Sequence, residues 1–189
     1  MSSVQFPFNL TLESEAFQSL HGVNTIIRRL SDMIPCFADQ QAVKQILAED
    51  DPILYEFWEI EQEGSAGELS FGLTRIHAGK IGKEYHMTKG HFHVTDGDEI
   101  YVVVSGHGLL LLQTREGETR SLEMVPGGIC YVPGGWAHRT VNTGNDNLLF
   151  LSIWPPNIEH DYETVAKHGF PIRVMEGADG PIVTDNDQS

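Results

Sequence analysis

The spacing of apolar positions divides this chain into parts with different periods. Up to residue 37 there is no steady period. Arg28-Arg29-Leu30-Ser31-Asp32-Met33 is the one charged knot there, followed by Pro35, and the segment reads as a surface arm packed on the domain. Residues 39–49 then predict a helix. Ala42, Val43, Ile46 and Leu47 fall on one face, Asp39 stands at the N-cap, and Asp51-Pro52 stops it. From residue 53 the period drops to two. Ile53–Ile60 is rich in aromatic and β-branched residues, and Leu69–Ile76 alternates as a half-buried strand does. A polar turn with Gly64 and Gly67 lies between them.

Short runs follow at Ile100–Val104, Gly108–Gln113, Ser121–Met124, Ile129–Val132, His138–Val141 and Leu148–Trp154. Gly106, Glu116-Gly117, Pro126-Gly127-Gly128, Pro133-Gly134-Gly135 and Gly144-Asn145 punctuate them. Many short strands with turn signals at such intervals predict an all-β sandwich or barrel, and neither βαβ alternation nor an internal repeat is visible. Pro155-Pro156 ends the β text. Asp161–His168 reads as a short helix stopped by Gly169, and Asp179–Ser189 as a loose polar tail. The expectation is one domain over 1–189: an arm and helix (1–50), a β-barrel (53–155), and a C-terminal helix and tail (156–189).

Composition narrows the function classes. Hydrophobic residues make up 40% of the 189, enough for a folded core. Twelve basic and 27 acidic residues give a net charge of −15, which argues against nucleic acid or an anionic membrane as partner. An anionic substrate must then find a local positive field. The two cysteines, Cys36 and Cys130, form neither a disulfide scaffold nor a CxxC motif and read as reduced thiols. No apolar run approaches the roughly 20 residues of a membrane helix. Met1-Ser2-Ser3-Val4-Gln5 opens without signal-peptide features. The expectation is a soluble, cytoplasmic protein.

The chemistry concentrates at Thr88-Lys89-Gly90-His91-Phe92-His93, with Glu99 and Tyr101 behind. In an extended strand His91 and His93 project to one face, so both imidazoles can reach one point, and a nearby carboxylate makes this a divalent-metal arrangement. A lone histidine would be read as a surface or core residue; it is the set that points to metal. A second region runs Gly127-x5-Pro133-x-Gly135-x2-His138-x3-Asn142. By strand parity Glu99, Tyr101 and Val103 share a face, as do His138, Thr140 and Asn142. Together with H-x-H-x5-E-x6-G, closing at Gly106, the pair resembles the two motifs of the cupin superfamily. The first motif departs in its five-residue gap between His93 and Glu99, which a loop through Asp96-Gly97-Asp98 absorbs. The resemblance implies a cupin jelly-roll β-barrel with a few short peripheral helices, and a metal held by His91, His93, Glu99 and His138.

Further segments are similar to the cupin-type glucose-6-phosphate isomerases: Arg28–Met33, Gly82-Lys83-Glu84, Thr88–His93, Leu112-Gln113-Thr114, Tyr131-Val132-Pro133, Trp136–Asn142 and His160-Asp161-Tyr162. That family implies interconversion of glucose 6-phosphate and fructose 6-phosphate in glycolysis and gluconeogenesis, and a homodimer. It also implies one divalent metal per subunit, with Fe(II) first and Zn(II), Mn(II) or Ni(II) as alternatives. Carried over by residue, Thr74, Thr88, Lys89 and Gly90 hold the phosphate, Tyr101 contacts substrate, and Glu99, His160 and Tyr162 serve catalysis. Without the resemblance, Thr74 reads as an ordinary strand residue, Tyr101 as barrel filling, and His160 and Tyr162 as the start of a surface helix. Gly134-Gly135 and Trp154 depart from the family pattern in ways that bear on the pocket rim. Rival readings are a phosphomannose isomerase, a metal-dependent dioxygenase on the same barrel, and a non-catalytic sugar-binding cupin.

Overall fold

The computed structural model describes residues 9–14, 16, 23–60, 68–94, 97–156 and 158–186. The turn expected at Gly64 and Gly67, and Asp96 in the loop ahead of Glu99, lie outside them. The first strand is β1 (Asn24–Arg29), followed by two 3-10 turns (Leu30–Asp32, Ile34–Cys36) and helix α1 (Gln40–Leu47). Next come β2 (Ile53–Ile60), β3 (Ser70–Ile76), β4 (Lys80–Ile81), β5 (Glu84–Tyr85) and β6 (Phe92–His93). The middle of the chain supplies β7 (Glu99–Ser105), β8 (Gly108–Gln113), β9 (Thr119–Met124), β10 (Ile129–Val132), β11 (Ala137–Asn142) and β12 (Leu148–Trp154). The last elements are β13 (His160–Asp161), α2 (Tyr162–His168), β14 (Ile172–Gly177) and β15 (Gly180–Asp185).

All strand pairings are antiparallel. One sheet runs β1-β2-β3-β12-β7-β10; β11-β8-β9 forms a second, β13-β6 a small third, and β15-β14-β5-β4 a fourth. Leu54, Ile76, Val103, Leu148 and Phe150 of the large sheet share one core with Leu110, Leu112 and Val141 of the second. This is the β-barrel that the alternating segments predict, in the jelly-roll form that the cupin resemblance implies. Asn142, fully buried, ties the layers: its Nδ2 donates to the Ile76 carbonyl (2.9 Å) and the Asp146 carbonyl (2.9 Å). On the other face of the large sheet, Trp58 and Leu73 pack with Leu10 and Val23.

The predicted helices hold. Asp39 Oδ1 accepts from the N–H groups of Gln41 and Ala42 at the start of α1 (3.1 and 2.9 Å). Asp161 caps α2 through Thr164 N–H (2.9 Å), and Gly169 closes it with a φ of 71°. Both flanks of the barrel differ from expectation. The supposed arm contributes β1, an edge strand registered along β2 from Asn24↔Glu59 to Arg28↔Tyr55. An edge strand with charged residues on it lacks the apolar alternation that marks a strand in sequence. The supposed loose tail is β15, paired with β14 from Ile172↔Asp185 to Gly177↔Gly180. Its Ile182 and Val183 stay half-exposed, so the hairpin shows little apolar pattern. Cys36 and Cys130 are free, and no helix among the described residues is long and apolar enough to cross a membrane.

Candidate functional site

β7 turns Glu99, Tyr101 and Val103 inward and leaves Ile100 exposed, as strand parity requires. His138 sits on β11, buried on both faces. His93 ends the two-residue β6, whereas His91 lies just outside it and meets His138 in an isolated bridge. The extended stretch is thus shorter than expected, yet both imidazoles reach the same place. One ligand atom from each of His91, His93, Glu99 and His138 lies within 4.8 Å of the others. Glu99 Oε2 is 3.4 Å from His93 Nε2 and 3.3 Å from His138 Nε2.

Chemistry of the donor set supports a metal at this point. His91 Nε2, His93 Nε2 and His138 Nε2 are buried with no hydrogen-bond partner, an expense that native interiors avoid unless something else fills the lone pair. His93 Nδ1 donates to the Gly97 carbonyl (3.0 Å), which fixes the tautomer that offers Nε2. Burial, followed by the neighbouring imidazoles, drives His91 and His138 well below the usual histidine range, so both are neutral and can ligate. Burial opposes charge on His93 too, but contact with Glu99 outweighs it and raises His93. Glu99 is raised by burial, partly offset by His93 and by the Tyr101 and Ser152 hydroxyls.

His91, Glu99 and His138 of the cluster line a pocket of about 660 Å³ including its open mouth, and His93 does not reach its surface. Every predicted substrate residue lines it: Thr74, Thr88, Lys89, Gly90 and Tyr101, and with them His160 and Tyr162. His160, on β13 opposite His93, has its ring 4.2 Å from that of His91. Burial and then His93 push its pKa down to about 4, while burial lifts Tyr162 to about 12. Both side chains are therefore neutral near pH 7. Lys89 Nζ lies 5.7 Å from the centre of the Tyr162 ring. Thr88 Oγ1 accepts the Thr140 N–H (3.0 Å), which leaves its own proton to donate elsewhere. Thr74 sits on β3 between Phe57 and Phe150.

Four polar lining residues have no substrate-facing role in the sequence reading: Arg28, Tyr55, Thr140 and Ser152. Thr140 shares the His138 face, a signal parity offers. Arg28 and Tyr55 are register partners on β1 and β2; Arg28 opens the charged knot, but nothing local marks its pairing with Tyr55. Trp154 lines the pocket with its ring centre 6.0 Å from that of Phe57, whereas Gly134 and Gly135 do not reach it. Gly134 N–H instead donates to Asp98 (2.9 Å).

An antiparallel jelly-roll with three histidines and a glutamate converging on its inner wall defines a cupin equipped to hold a metal ion. The family model for glucose-6-phosphate isomerase (GPI) matches residues 27–188. Among curated relatives, the glucose-6-phosphate isomerase of Thermococcus litoralis is 45% identical over 181 residues, 95% of each chain. That of Pyrococcus abyssi is 47% identical over 87% of this chain and 88% of its own, and that of Sinorhizobium medicae 36% over 81% and 73%. The chain belongs to the glucose-6-phosphate isomerase family. A solved oxalate decarboxylase from Bacillus subtilis aligns with a TM-score of 0.47 at 20% identity, over 55% of this chain and 26% of that one.

Proposed function

We propose that this chain interconverts glucose 6-phosphate and fructose 6-phosphate, with one divalent metal held by His91, His93, Glu99 and His138. The observation that carries the reading is a single pocket lined by two kinds of residue, which we assign to its two ends. One end presents the orphaned imidazole nitrogens. The other is lined by Thr74, Thr88, Lys89 and Gly90. A sugar phosphate has the matching polarity, with reacting oxygens at C1 and C2 and a dianion at C6. When bound, the metal supplies Lewis acidity to those sugar oxygens. Fe(II) is the first candidate, with Zn(II), Mn(II) and Ni(II) behind it, since the ligand set alone suits several ions.

The protein's own residues do the rest. Thr74, Thr88 and Gly90 N–H donate hydrogen bonds to the phosphate, and Lys89 adds charge against an acidic background. His160, neutral and beside His91, accepts and returns the proton that moves when the sugar ring opens, with Tyr162 as its hydroxyl neighbour. Tyr101 contacts the sugar. Among the described residues Glu99 is the one carboxylate lining the pocket, and it takes the C2 proton and delivers it to C1 through a cis-enediol. A second reading, direct hydride transfer from C2 to C1, is favoured by one observation. Glu99 Oε2 faces His93 and His138, and a carboxylate committed to a cation is a weaker base.

The test starts from chelator-treated protein. Turnover of glucose 6-phosphate should vanish and return on adding one of Fe(II), Zn(II), Mn(II) or Ni(II); if none restores it, the isomerase reading fails. Run in deuterated water, proton transfer leaves solvent deuterium in the product, whereas hydride transfer leaves none. We also propose a cytoplasmic homodimer. The edge strand β10 exposes Ile129 (70%) and Tyr131 (53%), a surface a second copy can cover. A monomeric mass in solution overturns the assembly.

A further inference from the structure

β11 runs beside the segment that leads to His91, joined to it at two places. Thr88 N–H donates to the Thr140 carbonyl (2.9 Å), and Thr140 N–H returns to Thr88 Oγ1 (3.0 Å). Further along, His138 N–H donates to the His91 carbonyl (3.1 Å) and His91 N–H to that of His138 (3.3 Å). Between these ties one side holds Lys89 and Gly90, the other only Arg139. The extra residue is a β-bulge, and Gly90 takes the positive φ it requires, 76°. A Cβ on Gly90 would lie 2.8 Å from Phe170 and 3.0 Å from the His138 carbonyl, so the position is closed to any larger residue.

Arg139 occupies the outer side of this bulge. His138 and Thr140 line the pocket, and Arg139, between them, points the other way and does not. It is 3% exposed, and its guanidinium carbon lies 4.7 Å from the centre of the Phe170 ring. Its Nη2 donates to the Lys89 carbonyl (2.8 Å). The nearby carboxylate, Glu84, is bound instead by Arg173 (2.7 Å) and by Ala38 N–H (2.9 Å).

The Lys89 carbonyl and the Gly90 N–H belong to one peptide unit. In a planar trans peptide these two groups point in opposite directions. We propose that Arg139 is a positioning residue for substrate: by holding the Lys89 carbonyl outside the barrel, it aims the Gly90 N–H into the pocket at the phosphate. The inference rests on the sugar-phosphate reading above. It adds why a flexible Lys-Gly bulge presents a donor rather than a carbonyl to an anion. A carbonyl turned inward would repel the phosphate, so the orientation of this one peptide decides the sign of the contact.

Lys89-Gly90 is the only Lys-Gly pair in the chain. Protein labelled with 13C at the lysine carbonyl and 15N at glycine therefore gives a single carbonyl–amide correlation, from this peptide alone. In Zn(II)-loaded wild type, glucose 6-phosphate should shift the Gly90 amide proton downfield, and an unphosphorylated polyol should not. In Arg139→Met the shift should be lost, and KM should rise about tenfold with kcat changed less than threefold and metal content unaltered. Arg139→Lys, which keeps charge and part of the reach, should recover part of the shift, and it serves as the folded test if Arg139→Met does not fold. A wild-type shift that persists undiminished in the folded variants overturns the role of Arg139 and leaves the cradle standing. A wild-type protein that binds glucose 6-phosphate with no movement of this amide overturns the cradle itself.

Discussion

The two ends proposed for the pocket are built by different means. The metal end is a convergence of side chains from β6, β7, β11 and the residue ahead of β6, all bringing a nitrogen or oxygen within 4.8 Å of the others. Its specificity lies in which residues are present. The proposed phosphate end leans on backbone: a bulge, a glycine at positive φ, and the Thr88 hydroxyl, whose acceptor side is already used. Its specificity lies in how a few peptides are turned. The first kind of site fails when a side chain is removed. The second fails when the chain around it relaxes. Variants at the two ends should therefore differ in what they change, not only in how much.

The largest effect is expected at the metal end. His138→Ala removes one of the four proposed ligands from a cluster whose remaining Nε2 atoms already lack hydrogen-bond partners. Loss of groups that merely orient metal ligands costs roughly 10–100-fold, so loss of a ligand should cost about 100-fold or more in turnover. Metal content per subunit, measured on the purified protein, should fall in parallel. Retention of a full metal equivalent with near-normal turnover would mean that the four residues do not act as one site.

At the phosphate end the expected effect is smaller and of another type. Thr88→Val and Thr74→Val each remove a hydroxyl of matched shape. A hydrogen bond to a charged partner is worth about 1.5–3 kcal/mol, so KM for glucose 6-phosphate should rise roughly tenfold or more. Metal content should not move, and kcat should change little. Thr88→Val should also lower Tm, because Thr88 Oγ1 accepts the Thr140 N–H, and Thr74→Val supplies the cleaner reading of substrate contact. If either variant instead loses metal, the two ends are one coupled site and the division fails.

The same contrast governs what can be read from the sequence. His91 and His93 are legible because their donor atoms are the side chains and their spacing lets both imidazoles reach one point, whereas Glu99 and His138 join them through the resemblance to the cupin motifs, with which strand parity agrees. Thr88, Lys89 and Gly90 stand beside them in the chain and came with the family resemblance. Arg28 and Tyr55 were not legible as a facing pair. Each is an ordinary residue of its strand, and only the pairing of β1 on β2 brings the two side by side. Arg139 was hidden for a further reason: its work is on a carbonyl, and no residue type advertises a peptide's orientation. The flanks were misread on the same physics. β1 and β15 lie at sheet edges with no fully buried position, so neither carries the apolar alternation that a half-buried strand shows.

The smallest expected effect tests whether the pocket is insulated from the far side of its own wall. β2 carries Tyr55 and Phe57 into the pocket, while Glu56 between them points away from it. Glu56 Oε2 accepts from Arg75 Nε (2.8 Å) and meets His77 Nε2 (2.9 Å). Burial pushes this carboxyl up, but the hydrogen bonds to Arg75 and His77 outweigh it and hold the pKa below the usual glutamate value. A depressed carboxylate stabilises the fold fully above its unfolded pKa, near 4.3, and that contribution is lost as pH falls through the folded value. Glu56→Gln should thus lower Tm at pH 7 by roughly 2–4 °C, the shift of about 1 kcal/mol in a chain of this size. The gap to wild type should close as the pH is taken below about 4. KM and metal content should both stay at wild-type values, because this pair faces away from both ends of the pocket. A KM that moves more than twofold would mean that the sheet transmits strain across its thickness, and that the phosphate end depends on the outer face as well as on the bulge behind Gly90.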